Sequence, residues 1–174
     1  ASGVRNEEIV KTQTIKVDTT PPTLVTTMSD AALKAGETSL VTFTFSEAVT
    51  GFDNLDITTI ENGTLTPVSS TDGSITWTAT FMPTADTEDA TNVISVNKAG
   101  VIDVAGNTGT GTTNSPNYAI DTILPSIVSV VMSDTALQIG DTSTLTVTLS
   151  EAATGFTADD VAVGSGIIGA LAGG

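Results

Sequence analysis

The sequence predicts an all-β protein made of tandem β-sandwich domains, and three observations carry that prediction. Motifs recur along the 174-residue chain at a spacing close to the size of one sandwich domain. Apolar residues alternate with threonine over several short segments, which is the period of a strand with one buried face. Clusters of glycine, asparagine and aspartate separate those segments, as turns do. Together these patterns favour repeated β-sandwiches over a helical fold.

The internal repeat is the strongest of these signals. The offset between the two copies is 103 residues at the first matching aspartate and 104 from Met28 onward. That period is one β-sandwich domain and is far too long for a solenoid turn. Three blocks return in the same order: Asp18–Pro22 as Asp121–Pro125, Met28–Leu33 as Met132–Leu137, and Phe45–Phe52 as Leu149–Phe156.

The repeat divides the chain into three parts. Residues 18–120 form one complete repeat, and residues 121–174 form the N-terminal half of a following repeat. Residues 1–17 resemble the last strand of a preceding repeat, because Ile15–Asp18 matches Tyr118–Asp121. We therefore expect a longer array that continues beyond both ends. A half repeat would expose an apolar face and an open sheet edge, and we hypothesise that strand exchange with residues 1–17 orders it.

Seven segments of the complete repeat are predicted as strands. Val41, Phe43 and Phe45 alternate with threonine in one segment, and the segment around Trp77 shows the same pattern. Threonine suits the wet face of a strand because it is both β-branched and polar. Turn motifs such as Glu61-Asn62-Gly63 lie between the segments. The predicted strands cover residues 23–28, 38–45, 54–60, 64–69, 74–82, 91–97 and 116–120.

This strand count refines the fold class. Seven short strands in roughly a hundred residues are typical of an immunoglobulin-like sandwich. The single Trp lies on the fifth predicted strand, and the chain has no Cys, so the disulfide of antibody domains is missing. The predicted fold is therefore all-β, with tandem immunoglobulin-like β-sandwich domains that lack the antibody hallmarks.

The composition excludes several classes of function. The chain has 20 acidic and 5 basic residues, a net charge of −15, no His and no Cys. An acidic surface repels nucleic-acid backbones and anionic membranes, so neither is expected as a partner. Without His and Cys there is no imidazole or thiolate metal ligand and no Ser-His-Asp or Cys-His pair. We expect no enzymatic activity in these residues.

The motifs together resemble the bacterial Ig-like repeats of large secreted adhesins and biofilm-associated surface proteins. They are the Asp-Thr-x-x-Pro opening, the Ser-Asp-x-Ala-Leu-x-x-Gly-Glu-Thr stretch of residues 29–38, the Phe45–Phe52 block and Asp103–Asn107. Together they cover essentially all of residues 18–163, and the glycine-rich stretch Gly164–Gly174 fits less well. The resemblance implies a stalk outside the cell, on the bacterial surface, in which neighbouring repeats are the partners. It also implies stiffening by Ca²⁺, and a host-surface, glycan or matrix ligand bound through other parts of the parent protein.

Carboxylates are the only candidate site residues, and the sandwich topology predicts where they meet. The start of the first strand, the loop after the second strand and the loop before the last strand share one end of such a domain. Asp18, Glu47, Asp103 and Asn107 are therefore expected to converge. Ca²⁺ prefers six to eight oxygen ligands in irregular geometry, so we predict that it is the bound ion.

The opposite end of the domain collects a second set of acids. These are Asp30, Asp86, Glu88 and Asp89, which in a head-to-tail array would adjoin Asp121 and Glu151 of the next repeat. We expect them as further metal ligands at that junction. The alternative interpretation is that these acidic loop residues are solvated or simply form Asx turns.

Other interpretations stay open at the level of sequence. The domain could be a carbohydrate- or protein-binding module of a secreted adhesin or polysaccharide-degrading enzyme. Two motifs have plainer explanations. Gly164–Gly169 matches the dinucleotide fingerprint but lacks the required strand and helix around it. Asn62-Gly63-Thr64 matches the glycosylation sequon, and we interpret it as a turn.

Overall fold

The computed structural model describes residues 16–173, which form two compact units that divide after Thr122. Both units are built from strands, as the sequence predicts. The helical segments among the described residues are two single 3-10 turns, and none is long or apolar enough to cross a membrane. The strands, numbered in chain order, are β1 Leu24–Met28, β2 Ala32–Lys34, β3 Ser39–Phe45, β4 Val49–Thr50, β5 Ile57–Ile60, β6 Gly63–Leu65, β7 Ser69–Ser70, β8 Thr76–Pro83, β9 Glu88–Asn92, β10 Ile94–Asn97, β11 Ile102–Asp103, β12 Thr112–Asn114, β13 Tyr118–Asp121, β14 Ile127–Met132 and β15 Leu145–Leu149.

One layer of the first unit is an antiparallel sheet in the order β1-β3-β8-β6, with β7 also paired to β8. In its centre, Val41 lies opposite Ala79 and Phe43 lies opposite Trp77. Burial alternates along β3, where Val41, Phe43 and Phe45 are buried and the intervening threonines face outward. The period-two pattern therefore correctly predicted which face of this sheet is in the core.

The other layer combines two three-stranded sheets, β2-β13-β9 and β12-β10-β5. The chain passes directly from β9 into β10, which joins the two sheets. Strand β2 pairs in parallel with β13 through Ala32 and Ala119, and the other pairings in this layer are antiparallel. Strand β2 was not predicted from the sequence, because three residues are too few to show an alternating pattern.

The core of the first unit lies between these layers. Phe52 is its aromatic centre, with edge-to-face contacts to Phe43, Phe45 and Trp77 at ring-centroid distances of 5.4, 5.1 and 5.5 Å. Tyr118, from the last strand, packs edge-to-face on Phe81 at 5.0 Å. Such aromatic pairs add stability beyond the area that they bury. Both layers contribute to this single buried cluster.

Three predicted strands are interrupted in the structure. The segment 54–60 begins as a 3-10 turn, Asn54–Asp56, because the Asp53 carboxylate accepts a hydrogen bond from the Leu55 amide. The segment 64–69 divides into β6 and β7 around Pro67, which has no amide hydrogen to donate. The segment 91–97 divides into β9 and β10 at Val93.

The second unit contains one antiparallel hairpin, β14 with β15, and a 3-10 turn at Ala158–Asp160. Leu137, the repeat counterpart of the buried Leu33, is 45% exposed, and Val130, the counterpart of Thr26, is 57% exposed. The predicted apolar face is thus open in this unit. The residues from Gly164 to Gly173 form neither strand nor helix, so the fingerprint there lacks the context for binding a dinucleotide. The proposed strand exchange involves residues 1–17, of which residues 1–15 lie outside the described part of the chain.

Candidate metal centre

Three carboxylates come together at one end of the first unit. One oxygen from each of Asp18, Glu47 and Asp103 lies within 4.8 Å of the other two. Asp18 precedes β1, Glu47 follows β3, and Asp103 ends β11. The structure therefore brings together the three acids that topology predicted to converge, while their binding of a metal stays a prediction.

A short strand pair positions Asp103. β11 pairs antiparallel with β4, which places Asp103 opposite Val49, two residues from Glu47. Val49 is 1% exposed and belongs to the core, so the packing of the sandwich holds β4 in place. Neither two-residue strand was predicted, because nothing in so short a segment separates a strand from a loop.

Asn107 fixes the Asp103 carboxylate within a tight turn. The Asn107 backbone amide donates to Asp103 Oδ1 at 2.8 Å, and the Asn107 Nδ2 donates to Asp103 Oδ2 at 2.8 Å. The same Nδ2 also donates to the Asp18 carbonyl at 3.2 Å. The turn passes through Gly106, whose φ of 95° favours glycine. Asn107 therefore acts here as a hydrogen-bond donor that orients Asp103. The sequence predicted it as an oxygen ligand, and this donor role was not predicted.

The pKa values of Glu47 and Asp103 are shifted in opposite directions. Burial raises the pKa of Glu47, and the neighbouring charges of Asp103 and Asp18 raise it further. For Asp103, burial again favours the neutral form, but hydrogen bonds from Asn107, Gly106 and Ala105 outweigh burial and lower the pKa. At neutral pH the site therefore holds like charges close together, which a cation would offset.

Replacement of Glu47 by glutamine tests this repulsion. Glu47→Gln is expected to raise the melting temperature of the chelator-treated protein at neutral pH, because it removes one of three crowded charges. The folded-state pKa of Glu47 lies above its ordinary value of 4.5, so the repulsion is fully present above that raised pKa. The gain should shrink as the pH falls toward 4.5, where wild-type Glu47 binds a proton as well.

Asp86→Asn is the matched control. It also removes one negative charge, but from a residue that follows the C-terminal end of β8, whereas Glu47 lies near the N-terminal end of that strand. Melting curves across this pH range check the prediction. A Glu47→Gln variant that is less stable than wild type in chelator would contradict it.

The acids predicted for the opposite end of the first unit do not form a comparable cluster among the described residues. Asp30 accepts a hydrogen bond from the Ala32 amide at 2.9 Å, which is an Asx turn. Asp89 accepts from Asn62 Nδ2 at 3.0 Å, Asp86 has a φ of 54°, and Glu88 lies opposite Asp121 in the β9–β13 pair. The only group of three or more close acids among residues 16–173 is the Asp18, Glu47 and Asp103 cluster.

The remaining predicted ligands belong to the second copy of the repeat motif. Asp121 ends β13 of the first unit. Glu151 follows β15 of the second unit, and one of its carboxylate oxygens is buried without a hydrogen-bond partner. Because Asp121 and Glu151 repeat Asp18 and Glu47, they occupy the same sequence positions in the following repeat.

The structure offers little support for a sugar site in the first unit. Sugar recognition commonly uses exposed aromatic rings, yet Tyr118 is 0% exposed and Trp77 is half-buried against Phe52. A cavity of about 240 Å³ lies near the end of β8, but no aromatic side chain contributes to it. Its lining residues are Ala35, Gly36, Glu37, Thr38, Met82, Pro83, Ala85 and Thr122.

The two-layer sandwich of short, mostly antiparallel strands has the architecture of an immunoglobulin-like domain. The chain belongs to the bacterial Ig-like domain family, whose model matches residues 18–120 and 121–174. This is a family of non-catalytic domains that usually occur as repeats in larger surface proteins. Searches of curated proteins and of solved structures found no match to the chain.

Proposed function

We propose that these repeats form a structural extender, a stalk, of a bacterial cell-surface adhesin, and that Ca²⁺ stiffens the junctions between repeats. The observation that carries the proposal is the cluster of Asp18, Glu47 and Asp103 at the end of the domain where the repeat begins. Asp18 and Glu47 recur as Asp121 and Glu151, so the same acids are available at each new repeat.

The chemistry of the cluster favours Ca²⁺ over other common cations. All of its donors are oxygens, which suit hard cations, and Ca²⁺ accepts irregular sets of six to eight of them. Mg²⁺ needs a tighter octahedron and keeps more of its water. Asp18 and Asp103 already accept hydrogen bonds, from the Thr20 amide and from Asn107, which hold these two ligands in position before an ion binds.

An ion at this site would couple the entering chain to the body of the domain. Asp18 lies directly before Thr19-Thr20-Pro21-Pro22, and Pro22 is fully buried. The fixed φ of the two prolines limits the flexibility of this segment. A cation bound by Asp18 together with Glu47 and Asp103 would therefore restrict the segment at both ends, and a row of such joints would form an extended stalk.

A calcium titration tests the site. We expect Ca²⁺ to raise the free energy of unfolding of the first unit by about 2.7 kcal/mol when its concentration is a hundred times Kd. Urea unfolding followed by the fluorescence of Trp77, the only tryptophan, measures this because Trp77 lies in the first unit. Asp103→Asn should abolish the calcium effect, whereas Asp86→Asn should preserve it.

Stiffening needs a separate measurement. Because the chain has no Cys, single cysteines introduced at the exposed Val17 and Thr64 can carry spin labels, one on the segment that enters the repeat and one at the opposite end of the first unit. Calcium is expected to narrow the distribution of distances between the labels. A calcium-independent unfolding curve would refute the metal site, and an unchanged distance distribution with a normal stability gain would refute the stiffening alone.

A further inference from the structure

Asn62-Gly63 is a reactive pair that the stalk function does not use. It is the only Asn-Gly dipeptide in the sequence. In such a pair the backbone nitrogen of glycine can attack the asparagine side chain, because glycine has no Cβ to hinder the approach. The reaction releases ammonia and converts the asparagine side chain to an acid. Whether it can occur at Asn62 depends on how firmly the surrounding residues restrain this side chain.

The folded domain holds the leaving amide of Asn62 firmly. Its Nδ2 donates to Asp89 Oδ2 at 3.0 Å and to Asn92 Oδ1 at 2.7 Å, which uses both of its hydrogens. Asn92 is 1% exposed, and its own Nδ2 donates to the Asp89 and Tyr118 carbonyls at 3.0 and 3.1 Å. The acceptors that restrain Asn62 are therefore fixed by the core.

The backbone around Asn62 is equally restrained. Its carbonyl accepts from the Thr84 amide at 2.8 Å, and the carbonyl of the preceding Glu61 accepts from the Tyr118 hydroxyl at 2.5 Å. Asn62 has a φ of 49°, a left-handed conformation that asparagine tolerates better than most residues. A Cβ at Gly63 would lie 2.2 Å from the Phe81 ring, so glycine is required there. The fold thus needs the same two residues that make the dipeptide reactive.

We propose that Asn62 is a deamidation site, with water as the co-reactant, that is closed in the folded domain and open once the domain unfolds. The Gly63 nitrogen loses its proton to solvent and bonds to Asn62 Cγ. The Cγ–Nδ2 bond then breaks, and Nδ2 takes up a proton from solvent and leaves as ammonia. Water then opens the resulting succinimide at either carbonyl, which yields aspartate or isoaspartate. While the domain is folded, the two acceptors hold the Asn62 side-chain amide in place and oppose the rotation and the loss of Nδ2 that the attack requires.

The product is incompatible with the native contacts. A carboxylate at position 62 has no hydrogen to donate, and it would face Asp89 Oδ2 and Asn92 Oδ1, which are both acceptors. It would also place a second negative charge beside Asp89. Isoaspartate further lengthens the backbone of a turn whose carbonyls are bound by Thr84 and Tyr118. A domain that stays unfolded long enough to deamidate is therefore less stable after it refolds. The aspartate or isoaspartate at position 62 remains as a chemical mark of that unfolding.

Ageing of the wild-type chain tests the proposal directly. The protein is incubated at mildly alkaline pH with and without guanidinium chloride, and the tryptic peptide of residues 35–98 is analysed by mass spectrometry for aspartate and isoaspartate at position 62. We expect conversion at least about tenfold slower in the folded protein, which corresponds to about 1.4 kcal/mol in activation free energy. Equal rates in both conditions would overturn the proposal.

A variant tests the consequence for refolding. Asn62→Asp should lower the melting temperature, or prevent folding, relative to Asn114→Asp, which adds the same charge at an exposed residue whose Oδ1 accepts a hydrogen bond from Ser95. An Asn62→Asp variant as stable as Asn114→Asp would overturn the claim that deamidation disfavours refolding. The ageing experiment does not depend on this variant, because it uses the native sequence.

Discussion

Phe43→Ala is expected to lower the free energy of unfolding of the first unit by about 3–5 kcal/mol, the usual cost of removing a buried phenylalanine ring. Phe43 is 0% exposed at the centre of β3, between Thr26 of β1 and Trp77 of β8. It also packs edge-to-face on Phe52. Its removal leaves a cavity that the two flanking strands cannot close without losing their register.

The internal repeat supplies the control for this variant. Val147, the counterpart of Phe43 in the second copy, is only half-buried in β15, so Val147→Ala should leave the unfolding of the first unit unchanged. Urea unfolding followed by Trp77 fluorescence measures both variants. A Phe43→Ala loss below about 1 kcal/mol would mean that the ring is not at the centre of a close-packed core.

Asn92→Ala is expected to cost about 3 kcal/mol or more, although it removes only a small polar side chain. The Asn92 amide satisfies the Asp89 carbonyl, the Tyr118 carbonyl and the Asn62 side chain, and Asn92 itself is 1% exposed. Each buried polar group that loses its partner costs about 1–3 kcal/mol. The alanine variant would leave three such groups within one network.

Asn97→Ala is the matched control, because the Asn97 side chain accepts a single hydrogen bond from the Ala99 amide in an exposed turn. We expect that change to cost about 1 kcal/mol or less. Urea unfolding gives the difference in stability, and amide hydrogen exchange of β9, β10 and β13 shows whether the loss is local. If the two variants proved equally stable, the network would not be a structural requirement of the fold.

The general architecture was predictable because it depends on patterns that short stretches of sequence carry. The alternation at Val41, Phe43 and Phe45 correctly placed these residues in the core. The repeat, combined with the connectivity of a sandwich, predicted that Asp18, Glu47 and Asp103 converge, and they do. The core residues were predictable because the period of a strand fixes which side chains share a face. The convergence of the acids was predictable because the order of strands in a sandwich fixes which loops share an end.

Long-range polar contacts could not be predicted in the same way. The Asn62–Asp89–Asn92 network joins a turn to one distant strand, β9, and no local pattern distinguishes these residues from solvated loop residues. The pairs β2–β13 and β4–β11 were missed for the same reason, since two or three residues have no period. Their pairing depends on the packed layers that bring them together.

The sequence by itself determined the fold class, the repeat and which acids lie at each end of the domain. Only the tertiary structure decided which of the two predicted groups of acids forms a close cluster among the described residues. Asp18, Glu47 and Asp103 come within 4.8 Å because the buried Val49 pairs with Asp103, whereas Asp30 and Asp89 accept hydrogen bonds elsewhere. A carboxylate on a loop is oriented by its hydrogen-bond donors, and these come from parts of the chain that only folding brings near.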